Sequence, residues 1–102
     1  MAKRQKKVLT DNDVKKKAVK LVISHLKRKI TQNYMGSELL REWIEEMDKL
    51  LEKEEVELSE YIEMRRNLND IIERTMDEEI RYKLRDSWYS FGRALDKKVK
   101  RM

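Results

Sequence analysis

The chain has 102 residues, 44% of them charged and 39% hydrophobic, with 25 Lys and Arg against 20 Asp and Glu, a formal net charge of +5, two glycines, and neither proline nor cysteine. Without cysteine there are no disulfides and no thiolate chemistry, no apolar run reaches the length of a membrane span, and the scarcity of turn formers disfavours strands and favours helix. One small helical domain over residues 10–102 is expected. It follows a basic tail, residues 1–9 (MAKRQKKVL), that lacks the apolar stretch of a secretory signal and so points to an intracellular (cytoplasmic) protein.

Thr10-Asp11-Asn12-Asp13 gathers N-cap residues and first-turn acids ahead of a periodic apolar stretch, predicting a first helix over about 11–34. Val14, Ala18, Val19, Val22, Ile23, Leu26 and Ile30 cover an arc wider than a surface helix needs, so this helix should touch two neighbours. Gly36 is the expected stop. Ser37 reads as the N-cap of a second helix over about 38–55, in which Leu40, Trp43, Ile44, Met47, Leu50 and Leu51 recur at three and four. Ser59 reads as the cap of a third helix, about 60–74, carrying Tyr61, Ile62, Met64, Leu68, Ile71 and Ile72.

Thr75-Met76-Asp77-Glu78 matches a capping box and predicts a fourth helix over about 76–100, although nothing there forbids the third and fourth from running on as one. Ile80, Leu84, Trp88, Phe91, Leu95 and Val99 step by four, four, three, four and four. That stripe places Trp88 and Phe91 in the core. Tyr82 and Tyr89, to one side of it, either flank the core with their hydroxyls in water, the favoured reading, or sit exposed in a positive surface. The expected fold is all-α: a small antiparallel four-helix bundle, or three helices if the last two are continuous.

Charge is segregated along the chain. Residues 1–35 hold eleven Lys and Arg against two acids, residues 36–79 six against sixteen, and residues 80–102 eight against two. In an up-down bundle the first and last helices are neighbours. One basic face is therefore expected from Lys17, Lys20, Lys27 and Arg28 of the first helix and Lys83, Arg93, Lys97, Lys100 and Arg101 of the last, with Tyr82 and Tyr89 beside Arg93. The acidic second and third helices should form the opposite side.

Catalysis is not expected. His25 is the sole histidine and sits at the edge of an apolar arc, Glu42, Glu45, Glu46 and Glu52 read as solvated carboxylates, and no glycine-rich phosphate loop or metal-ligand spacing is present. No cofactor and no metal are implied. Standard nucleic-acid modules are absent too: the helix after Gly36 is acidic and would be repelled from a major groove, and zinc fingers need cysteine. Two functions fit these patterns. The first is a small accessory or regulatory protein that associates with DNA or RNA through the basic face, driven by phosphate neutralisation. The alternative is a protein-binding adaptor or inhibitor, possibly a homodimer, using an apolar and acidic helical surface with Trp43, Met47, Met64 and Met76 as anchors.

Overall fold

Thr10 opens the first helix through a reciprocal capping box: its hydroxyl accepts from the Asp13 amide at 3.1 Å and its own amide donates to the Asp13 carboxylate at 3.0 Å. The computed structural model describes residues 10–31 and 33–98, and within them the chain forms α1 (Asp11–Lys29), α2 (Ser37–Leu51), α3 (Leu58–Arg74) and α4 (Glu78–Leu95), with no strand among the described residues. Residues 1–9 and Val99 lie outside them.

Helix ends differ from expectation where backbone geometry overrides side-chain patterns. α1 closes at Lys29, with extended backbone at Ile30, well short of Tyr34. Gly36, at φ 92°, is the N-cap of α2 and not the stop of α1. This left-handed conformation is one that glycine adopts without strain. Ser37 is consequently the first residue of α2, and Glu57, not Ser59, caps α3, with Glu60 completing the box. Thr75 does not cap α4. Its hydroxyl donates back to the Ile71 carbonyl at 2.8 Å, and Asp77 takes the capping role by accepting from the Ile80 amide at 3.0 Å. The extended backbone of Thr75 and Asp77 separates α3 from α4, so there are four helices.

Each helix packs on the next in chain order, and α4 closes the ring against α1. The pairings run antiparallel: Lys15 near the start of α1 meets Lys97 beyond the end of α4, and Arg65 of α3 meets Trp88 of α4. Between the helices lies one core, in which Val19, Leu26, Met47, Leu68, Ile72, Leu84 and Phe91 are fully buried. Phe91 is its hub. Trp43 and Tyr61 both meet it edge-on, at centroid distances of 6.2 and 6.4 Å. The two tryptophans clamp α3 from either side: Trp43 of α2 donates its indole N–H to the Met64 carbonyl at 2.8 Å, and Trp88 of α4 donates to the next carbonyl, Arg65, at 3.0 Å. Each ring thereby buries apolar area and satisfies its single donor.

Tyr61 is buried, and its hydroxyl has no hydrogen-bond partner among the described residues. Burial, helped by the adjacent Glu60 carboxylate, pushes its pKa up to about 12. An unfolded tyrosine ionises near 10. The fold therefore holds the proton more tightly, and the stability this provides is complete below about pH 10 and is lost as pH climbs toward about 12. Tyr61→Phe keeps the ring and removes the unpaired hydroxyl. At neutral pH it should leave stability unchanged or raise it by about 1 kcal/mol. In urea melts at pH 7 and 11 the variant should lose less stability between the two than the parent.

Candidate nucleic-acid interface

α1 holds seven Lys and Arg against two acids, and the structure divides its cations into two sets. One set serves the bundle. Lys15 Nζ donates to the Lys97 carbonyl at 2.7 Å, and Lys16 Nζ donates to the carbonyls of Lys53 and Glu54, so both ammonium groups sit where α4 and α2 end. Helix C-termini concentrate unpaired carbonyls and partial negative charge, which a lysine offsets. Lys27 pairs with Asp48 of α2 at 3.0 Å and Lys29 with Asp86 of α4 at 2.7 Å. Lys29 also holds the Asp86 carboxyl below the usual carboxylate range by hydrogen bonding and charge. These exposed pairs contribute a few tenths to about 1 kcal/mol each and act mainly as register marks.

The second set is Lys17, Lys20 and Arg28, all exposed and without an ion pair among the described residues. The helical period puts Lys17 and Arg28 opposite Val19, Ile23 and Leu26, so they point away from the core. Lys20 leans toward α2, lining a groove with Lys16, Lys27, Asp48 and Glu52.

α4 contributes less positive charge than expected. Within Glu78–Leu95 it carries four basic residues against three acids. The surplus of the last segment comes from Lys97, Lys98, Lys100 and Arg101, and the last two lie outside the described residues. Lys83 is half-buried and lies 3.7 Å from Glu79, one turn before it. Tyr82 and Tyr89 do not flank the core. They are 75% and 53% exposed, because the stripe built on Ile80, Leu84, Ser87 and Phe91 turns both outward. Lys97 is exposed where α4 ends beside the start of α1. Tyr89 and Arg93 line a groove facing α3, but Arg93 also donates to the Ser90 hydroxyl at 3.1 Å, and its charge helps hold the Asp86 carboxyl low. The described site residues thus form no single cluster: Lys17, Lys20, Lys27 and Arg28 lie on α1, Lys97 joins them at one end of the bundle, Arg93 sits near the Lys29–Asp86 pair and also lines the α3 groove, and Tyr82 and Tyr89 point outward.

No family model, no curated protein and no solved structure matches the chain.

Among the described residues no group of three or more His, Cys, Asp or Glu is placed to hold a metal ion, and no helix is long and apolar enough to cross a membrane. His25 is exposed on α1. Three of the four anchors expected for an adaptor, Trp43, Met47 and Met64, lie in the core, whereas Met76 is 82% exposed in the α3–α4 connection.

The feature that sequence patterns missed sits between α3 and α4. The Arg65 guanidinium lies 3.6 Å above the centre of the Trp88 ring, and its Nε donates to the Trp88 carbonyl at 3.1 Å. Trp88 is therefore half-buried beneath an arginine and not enclosed in the core. Gly92, one turn on, makes this possible: a Cβ there would come within 2.4 Å of the guanidinium. A glycine inside an otherwise good helix costs about 1 kcal/mol relative to alanine. That cost was the only visible signal of a close approach, and spacing could not say what approached.

This packing yields a double-mutant prediction. Gly92→Ala alone should change stability by less than about 1 kcal/mol, because the helix-propensity gain is offset by the displaced guanidinium. With Arg65 already replaced by Ala, the same substitution should stabilise by about 1 kcal/mol. Urea melts of the four proteins measure the coupling.

Proposed function

We propose that the protein is a small, non-enzymatic accessory or regulatory protein that associates with nucleic acid through the outer face of α1. The reading rests on one observation: Lys17, Lys20 and Arg28 are exposed and unpaired among the described residues, on a helix with seven cations and two acids. Lys27 adds a charge that Asp48 only partly neutralises in solvent. Lys97 extends the face at the end where α1 begins and α4 finishes. From Lys17 to Arg28 the helix rises about 16 Å, enough to meet several successive phosphates on one strand.

Asp48 and Glu52 of α2 share the groove of Lys20 and Lys27, but other acidic residues of α2 and α3, such as Glu42, Glu46 and Asp70, line a separate one. A phosphate backbone is repelled there, so the two sides of the bundle orient the protein on its ligand. No base-reading element is implied, and the contacts expected are with phosphates.

Fluorescence polarisation with labelled duplex and single-stranded oligonucleotides, at about 50 and 200 mM salt, tests the reading. Micromolar or tighter binding that weakens steeply with salt supports it. Absence of binding at the lower salt refutes it.

A further inference from the structure

We propose that the groove between α3 and α4 is a second binding surface, which docks an acidic amphipathic segment of a partner protein. It goes beyond the nucleic-acid reading and does not depend on it. The groove measures about 490 Å³, and Leu58 and Ile62, 49% and 44% exposed, are among the residues that line it. Leu95 and Tyr89 extend the apolar surface on the α4 side. Side chains of this kind scattered singly need no explanation. Here they line one groove, with a guanidinium held among them.

Arg65 determines the chemistry of the occupant. Its stacking on Trp88, its Nε bond to the Trp88 carbonyl and the clearance above Gly92 fix the guanidinium in place. Its terminal nitrogens have no hydrogen-bond acceptor among the described residues, although the Asp96 carboxylate acts on them through its charge, and they are not sealed from solvent. An arginine fixed in this way has already lost its rotamer entropy and presents a fork that matches a carboxylate. Arg66 and Arg93 add positive charge at the rim, against Asp96 and Glu63. An apolar floor with an oriented cation fits an apolar side chain followed within a turn by Asp or Glu. A phosphate strand would leave Leu58 and Ile62 uncovered.

Two parts of this chain are excluded as the occupant. Residues 1–9 and 99–102 carry Lys and Arg and no acid. The acidic helix α2 has its apolar residues Leu40, Trp43 and Met47 buried in its own core, so a second copy cannot offer them.

The test is a selection from a displayed random 12-residue peptide library against the full chain, in parallel with Ile62→Glu and Leu58→Glu variants. Both substitutions are at exposed positions, and thermal melts confirm that the variants fold. The expected result is an enriched pool of peptides that combine Asp or Glu with Leu, Ile, Phe or Trp, whose binding falls at least tenfold on either variant and on Arg65→Lys. Control substitutions on α1, such as Lys17→Gln, should leave it unchanged. Four results overturn the proposal: no enrichment, enrichment of basic peptides, peptides that bind the variants equally, or sedimentation showing a dimer of the parent that Ile62→Glu converts to monomer.

Discussion

Phe91→Ala should cost about 3–5 kcal/mol, the largest single-residue effect expected in this protein. Phe91 is fully buried and lies between the edge-on rings of Trp43 and Tyr61, so truncation removes burial and two ring contacts together. The flanking residues cannot close the cavity easily. Trp43 is tethered to the Met64 carbonyl, and Tyr61 stands on the α3 backbone, which both tryptophans bind. A chain of this length has a total stability of about 5–15 kcal/mol, so the loss is a large share of it. With a denaturation slope of about 1.5 kcal/mol/M, the urea midpoint should fall by about 2–3 M. Trp43 fluorescence reports the transition from next to the cavity. Tyr61→Phe is the matched control, since it leaves every ring in place; a similar drop in both variants would contradict Phe91's role as hub.

Replacing Lys17, Lys20 and Arg28 together by Gln should weaken oligonucleotide binding at least a hundredfold while leaving the fold intact. Micromolar affinity corresponds to about 8 kcal/mol. Shared over roughly six phosphate contacts, that is somewhat more than 1 kcal/mol each, and three are removed. The salt dependence is the sharper readout. Each lost contact should reduce the slope of log K against log salt by about 0.9 on duplex, so the triple variant should be shallower by about 2.7. Because all three side chains are exposed and unpaired among the described residues, thermal stability should change little. Neutralising Glu42 and Glu46 on α2 should leave binding unchanged or raise it slightly. Equal affinity and slope for the triple variant and the parent would move any nucleic-acid contact away from α1.

These expectations trace back unequally to the sequence. The four helices and their buried faces follow from apolar residues recurring at three and four, because a chain rich in helix formers and poor in Gly and Pro can bury that stripe in only one way. This rule places Leu40, Met47, Leu68, Leu84 and Phe91 in the core, and the structure buries each of them. Cap identities were less accessible. Thr75 and Asp77 are both good N-caps, and the choice depends on where the Thr75 hydroxyl finds a carbonyl, which is a matter of backbone path.

The sequence by itself therefore determined the helices, the core stripe and the separation of basic ends from an acidic middle, since all three are sums over neighbouring residues. Only the tertiary structure decided what each charge does. Lys15, Lys16, Lys27 and Lys29 look no different in the sequence from Lys17, Lys20 and Arg28, yet the first four meet carbonyls or carboxylates on neighbouring helices and the last three meet solvent. The Arg65–Trp88–Gly92 packing joins residues 23 apart in the chain through two hydrogen bonds and a stacked face. The physical reason is the same for both: local periodicity determines which side of a helix faces inward, whereas the partner of a long, flexible cation depends on which helix packs alongside.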